Sequence, residues 1–326
     1  MIPRRHCLGA LAGAALATAG LPAHAQADYP DRPIRIIVPL PPGSPPDVLA
    51  RIVGERIQRA WKQPVVVENK PGATGMIGMD AVAKAAPDGY TLGVLFMTHT
   101  VLPELFGKMP YDTARDLVPL ANLAWLYNVL VVPPSSPVKS VQDLIERAKA
   151  APGKLSFGSG GIGSPAHLLG ESFSQITGTR MLHVPFRGPS EAVQALLGGQ
   201  VDLMFATNSV AVPMVQGGKV RGLAVTSPTR LGALPDLPTV AEAGVTGFEI
   251  KEWEGLVAPR GTPTAIVDKW NAELTRVMAQ ADVRTQLNDL GMTAAAANSP
   301  TQFGELIRSQ LGYWSQLVKS AGIKAQ

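Results

Sequence analysis

The tripeptide Gly-Ser-Pro stands twice in this chain of 326 residues, each time between a strand-like run and a helical pattern. Gly43-Ser44-Pro45 follows Ile34-Arg35-Ile36-Ile37-Val38 and opens a pattern carrying Val48, Leu49, Ile52, Val53 and Ile57. Gly163-Ser164-Pro165 follows Leu155-Ser156-Phe157 and opens another through Leu168, Leu169, Phe173 and Ile176. Serine at the N-cap with proline at the first helical position is a helix start. A strand-turn-helix junction aims unpaired backbone N–H groups and a positive dipole end at whatever lies above it, which suits an anion. One such junction in each half points to two lobes gripping a negatively charged ligand. Two ordinary helix caps are the plainer alternative.

Short apolar strands alternate with amphipathic helices along most of the chain. Val65-Val67, Thr91-Phe96, Val129-Val132, Met181-Val184, Val201-Phe205 and Val220-Ala224 read as strands. Helical patterns run at Met76-Ala85, Val141-Lys149, Ser190-Leu197 and Val210-Gln216. This alternation predicts an α/β fold with mainly parallel sheets. The last sixty or so residues read as all helical, restarting at Ser299-Pro300, where Ser299 and Gln302 form a capping box. A discontinuous first lobe, residues 26–127 plus 251–326, around a second lobe, 128–250, would bring the two junctions face to face.

Arg4-Arg5, the apolar stretch Leu8 to Leu21 and Ala23-His24-Ala25 read as residues 1–25 of a cleaved signal peptide. Its removal takes two of the 29 basic residues and none of the 25 acidic ones, leaving a formal charge of +2. With 6% aromatics as well, the chain lacks the basic clusters and stacking rings of a nucleic-acid platform. The single cysteine, Cys7, falls inside the leader, so the mature chain carries no disulfide, thiolate nucleophile or cysteine metal site. A periplasmic, monomeric protein without a cofactor is expected.

Gly158-Ser159-Gly160-Gly161-Ile162-Gly163 fits a dinucleotide loop, yet the next strand, Met181 to Pro185, has no acid for a ribose. Its glycines serve better to close the backbone on a small ligand. His167 near Ser159 or Ser164 raises a hydrolase alternative based on Ser164 and His167. There is no G-x-S-x-G elbow and no neighbouring acid to orient the histidine. The mature chain's histidines, His99, His167 and His183, lack metal-ligand spacing. Asp47 three residues after Ser44 reads as a capping box. Pro45 and Pro46 strip two N–H groups from that helix start, leaving the amides of Gly43, Ser44 and Asp47 and the Ser44 hydroxyl. The second junction keeps the amides of Ala166 and His167, so the firmer carboxylate grip is expected there. Arg187 is a candidate for a charge-assisted bond, and Trp253 for the hinge, cleft or core.

Several segments then resemble a known family. Tyr29-Pro30, Arg32-Pro33-Ile34, Gln63 to Ala73, Ala86-Pro87-Asp88-Gly89-Tyr90-Thr91-Leu92, Leu197-Gly198-Gly199-Gln200-Val201, Leu237 to Gly244 and Ala258-Pro259 with Gly261-Thr262-Pro263 are similar to the Bug-type receptors. These are the extracytoplasmic solute-binding proteins of tripartite tricarboxylate transporters. The resemblance implies a two-lobed, type II-like periplasmic-binding-protein fold without catalytic activity. It also implies a small organic anion held by one loop from each lobe, and a membrane permease or a sensor protein as partner. The loops map to Leu40 through Asp47, with Pro42, Gly43, Ser44 and Asp47, and to Ser159 through Ser164, with Ser159, Gly160, Gly161, Gly163 and Ser164. Thr74, Gly75, Thr98, His99 and Asn208 follow by the same resemblance, with His167 and Arg187 added from the residues. Three departures bear on the ligand. Ser44-Pro45-Pro46 replaces a glycine-containing loop, Ala206 replaces an Asp and so lowers the capacity for an amine, and Glu254 follows Trp253 where an aromatic or small residue is usual.

Overall fold

The computed structural model describes residues 29–248 and 251–321. The expected leader and the residues 249–250 lie outside them. In chain order the strands are β1 (Ile34–Val38), β2 (Val65–Asn69), β3 (Thr91–Phe96), β4 (Leu117–Leu126), β5 (Asn128–Val132), β6 (Ser156–Ser159), β7 (Leu182–Pro185), β8 (Leu203–Thr207), β9 (Arg221–Val225), β10 (Glu252–Pro259) and β11 (Met292–Ala294). The helices are α1 (Pro45–Trp61), α2 (Met76–Ala83), α3 (Leu102–Phe106), α4 (Val141–Ala150), α5 (Pro165–Thr177), α6 (Pro189–Leu197), α7 (Asn208–Gln216), α8 (Thr264–Met278), α9 (Ala281–Asp289) and α10 (Pro300–Ala321).

The strands form two sheets, ordered β11-β4-β10-β3-β1-β2 and β7-β6-β8-β5-β9. Only Tyr127 separates β4, in the first sheet, from β5, in the second. The chain is back in the first sheet at Glu252, whose register partner is Leu126. The point of return thus lies beside the point of departure.

The expectation of mainly parallel sheets needs correction. β1 pairs parallel with β2 and β3, and β6 with β7 and β8, but β10 runs antiparallel to β3 and β4, and β5 to β8 and β9. A strand that enters directly from the other sheet has no crossover helix to turn it round, so it need not run parallel to its neighbours. The tail is not all helical either. Met292 and Ala294 are buried, Thr293 is exposed, and this alternation pairs β11 with the edge of β4, which would otherwise present open backbone groups.

Helix faces follow the expected periodicity. On α1, Leu49, Ile52, Val53 and Ile57 are buried, and the helix ends at Lys62 in the left-handed region with φ 55°. On α8, Val267, Trp270, Leu274 and Val277 pack with them in one core cluster. In α5 Leu168, Leu169 and Phe173 are buried, and Gly170 lets the helix approach Phe157, whose ring would lie 2.3 Å from an added Cβ. Helix α10 leans on both sheets' layers. Its Phe303 meets Trp253 edge-on at 5.4 Å, while Tyr313 donates to Ser172 Oγ of α5 at 3.3 Å. Trp253 is therefore a core residue. Ser299 and Gln302 form the reciprocal capping box at the start of α10, at 2.8 and 3.1 Å.

Candidate functional site

A cavity of about 370 Å³ opens where strand ends from both sheets meet. Leu40 lies just beyond β1, Phe96 ends β3, Gly160 follows β6 and Thr207 ends β8, and all four line it. Carboxyl ends of strands are where open α/β sheets hold ligands, because helix starts and loops converge there. Four helices begin on this wall: α1 with Pro45 and Pro46, α5 with Pro165 and Ala166, α6 with Pro189 and Ser190, and α7 behind Thr207. Each contributes a partial positive charge. Phe96, Leu126, Val193, Met204, Phe205 and Val210 make the rest largely apolar.

The two Gly-Ser-Pro junctions fold almost identically. Gly43 and Gly163 have φ of 80° and 77°, a region open to glycine, and Ser44 and Ser164 follow at φ/ψ of −70°/156° and −67°/155°. In each loop the glycine amide donates to the side chain four residues on: Gly43 to Asp47 Oδ2 at 2.9 Å, Gly163 to His167 Nδ1 at 3.0 Å. The serine amide donates back, to Pro41 at 3.3 Å and to Gly161 at 3.1 Å.

This geometry corrects the expected Ser44-Asp47 capping box. Ser44 makes no side-chain cap and its hydroxyl donates to the Pro41 carbonyl at 2.7 Å. Asp47 is 3% exposed and also accepts from Arg51 at 2.9 Å and Asn69 at 2.9 Å. Burial alone would raise its pKa, but the bonds from Arg51, Gly43 and Asn69 hold the carboxyl below its usual range. The donors counted on for a ligand at this loop are thus engaged within it: the Asp47 amide too reaches the Ser44 carbonyl, at 3.0 Å.

Ser164 differs in one respect. It makes no side-chain cap, and its Oγ is buried without a hydrogen-bond partner on the cavity wall. Gly160 and Ala166 flank it there, and first-turn helix amides have no intrahelical acceptor. Behind the loop, Ser159 Oγ contacts His183 Nε2 at 2.6 Å and the Gly161 amide at 3.1 Å, and the His183 and His167 rings stack at 3.8 Å. Burial lowers His167 to about 3, with His183 adding to the effect, and lowers His183 to about 4. Both are neutral props for the loop and bring no positive charge to it.

Of the expected contacts, Thr98, Gly160 and Ser164 line the cavity. Pro42 and Gly43 are exposed at the loop tip, and Ser44 and Asp47 are turned into their own loop. Thr74 is exposed, Gly75 packs against His99, and His99 is fully buried with its pKa pushed down to about 4. Ser159, Gly161, Gly163 and His167 shape the second loop from behind, and Asn208 is buried at the start of α7. Arg187 is exposed, and its amide donates to Glu191 at 2.9 Å. No cationic side chain of the described residues lines the cavity.

Among the wall residues that the sequence reading did not single out are Asn128 at the start of β5 and Glu252 at the start of β10. With Glu254 they form a buried polar patch. The available signal was the alternation Glu252-Trp253-Glu254, which puts both acids on the strand face opposite the core tryptophan.

A serine hydrolase does not fit. Ser164 Oγ has no hydrogen bond to His167, whose Nδ1 is occupied by the Gly163 amide. Glu171 is 3.8 Å from His167 Nε2, too far for a hydrogen bond. Among the described residues no group of metal-ligating side chains comes together.

Residues 49–323 match the model of the tripartite tricarboxylate transporter family receptor. The chain is 37% identical over 319 residues to BugT of Bordetella pertussis, covering 97% of each. Rpa4515 of R. palustris, solved with adipate, is 34% identical with a TM-score of 0.80, over 92% of this chain and 100% of that one. MatC of Rhodopseudomonas palustris, solved with bound malate, is 33% identical with a TM-score of 0.76, over 89% and 100%. The fold is the two-lobed α/β fold of these periplasmic binding proteins, and the family is one of receptors, not enzymes. By its sequence and its architecture, the chain belongs to the tripartite tricarboxylate transporter receptor family.

Proposed function

We infer that this protein is an extracytoplasmic receptor that captures a small organic carboxylate and hands it to a membrane permease or a sensor protein. Lobes 26–127 plus 251–326 and 128–250 close on the ligand, and export leaves a monomeric mature chain starting at Gln26. The observation that carries this reading is the start of α5. Ser164 Oγ, buried and without a partner, stands with Gly160 and Ala166 on a wall where four helices begin. That arrangement supplies hydroxyl and amide donors and a positive dipole to an anion. The adipate and malate found in the two R. palustris proteins support the same ligand class.

A thermal-shift screen of carboxylic acids against their neutral amides tests it. A ligand at 100 times its Kd adds about 2.7 kcal/mol of stability. Acids should raise the melting temperature and the matching amides should not. Stabilisation by amides equal to that by acids, or by no acid in a broad set, would overturn the reading.

A further inference from the structure

Glu252 and Glu254 are the part of the cavity that a carboxylate receptor does not need. Burying an acid pair is costly unless something compensates it. The two stand at alternate positions of β10, 8% and 4% exposed, and both line the cavity. Their register partners on the adjoining strands are Leu126, Ala124 and Phe96. The nearby His99, on the turn after β3, is neutral, and no other ionisable side chain of the described residues lines the cavity.

Asn128 fixes the polarity of this patch. Its Nδ2 donates to Glu252 Oε1, so the carboxamide's free end is Oδ1, which is buried without a partner. Glu254 Oε2 is buried without one as well. Two unpartnered oxygens, Asn128 Oδ1 and Glu254 Oε2, thus stand beside Glu252 on one stretch of wall. They sit where β5 and β10 begin, whereas Ser164 and Ala166 start a helix of the second sheet's layer. Donors and acceptors thus face the cavity from different elements, with Phe96, Leu126, Met204 and Phe205 among the apolar residues lining the rest.

We propose that the Asn128-Glu252-Glu254 wall is a second subsite that takes a protonated amine, so that the ligand is an ω-amino acid with an apolar body. This rests on the carboxylate reading above and names the chemistry of the ligand's other end. Burial holds Glu252 up at about 7 and Glu254 well above 4.5, the latter helped by Glu252's charge. An ammonium favours their ionised forms, so protons should leave the protein as the amine binds.

Calorimetry on the mature protein at neutral pH, in buffers of different ionisation heat, tests this with 5-aminopentanoate, hexanoate, adipate and pentylamine. The aminopentanoate should bind about tenfold or more tighter than hexanoate, a gap of about 1.4 kcal/mol, and release protons. Glu254→Gln should bring the ratio of the two affinities close to one. If that variant fails to fold in a melting control, Glu252→Gln reads the same ratio. Equal wild-type affinities, or adipate binding tighter than aminopentanoate, would overturn the amine subsite and leave the carboxylate receptor standing. Pentylamine binding with no acid binding would keep the subsite and overturn the carboxylate reading. Silence from all four probes would overturn both.

Discussion

Replacing Glu252 by Gln should leave stability unchanged below about pH 4.5 and raise it increasingly from there to neutral pH and above. The wild-type carboxyl titrates at about 7 in the fold, because burial outweighs the Asn128 hydrogen bond, against 4.5 in the open chain. The folded protein therefore holds this proton more tightly. The stability it contributes is complete below pH 4.5 and is lost as pH rises through about 7. At about 1.4 kcal/mol per tenfold change in proton affinity, the loss amounts to about 3 kcal/mol. Glutamine cannot ionise, and its carbonyl oxygen can still accept from Asn128 Nδ2. For roughly 300 residues with an unfolding entropy of about 2 cal/mol/K each, the gain at neutral pH corresponds to about 5 °C. Scanning calorimetry of both proteins across this pH range reads the difference directly, and the buried histidines, common to both, cancel from it. Melting temperatures that run parallel with pH, or a variant less stable at neutral pH, would refute the assignment of Glu252 as a buried acid.

Other outcomes follow from the second loop and its props. Ser164→Ala should change stability by no more than about 0.5 kcal/mol, since its hydroxyl caps nothing, but should weaken carboxylate binding by about 1.5–3 kcal/mol. A stability loss with unchanged affinity, seen by melting and calorimetry, would make Ser164 a cap after all. Gly163→Val places a side chain at φ 77° with its Cβ about 2.7 Å from Leu105 Cδ1, so both stability and affinity should fall. Normal values for both would show that the loop yields without effect. His183 is neutral in the fold, so the stability it contributes is complete above pH 6.5 and is lost as pH falls towards about 4. His183→Gln should flatten that acid limb in melts; an unchanged limb would exonerate His183.

Backbone form was far more legible than side-chain partnership. Strands such as Thr91-Phe96 and both Gly-Ser-Pro helix starts lie where periodicity and proline put them. Both are local signals. β11 was hidden because three residues carry too little pattern, and only its pairing with β4 reveals it. The site was harder for the same reason. Whether Asp47 turns to its own loop or to a ligand depends on Arg51 and on Asn69, a strand away. Ser44 and Ser164 share sequence context and backbone angles, yet one hydroxyl is engaged by Pro41 and the other is unpartnered. Glu252 and Asn128 are 124 positions apart, and no motif in either segment announces the other.

The pairing of Glu252 with Leu126, where the chain returns to the first sheet beside its point of departure, has a mechanical consequence. A pair of adjacent strands that joins two bodies is a pivot, and displacement in a rotation grows with distance from its axis. Asn128 and Glu252 lie on that ribbon and are bonded across it, while Ser164 sits out on the start of α5. If the lobes swing about the ribbon, the acid-lined wall keeps its shape through the whole arc and the α5 loop travels the length of the lever. A ligand would then be screened at the fulcrum before the moving jaw reaches it, so the residues nearest the axis would govern which molecules enter and the farthest would govern how long they stay.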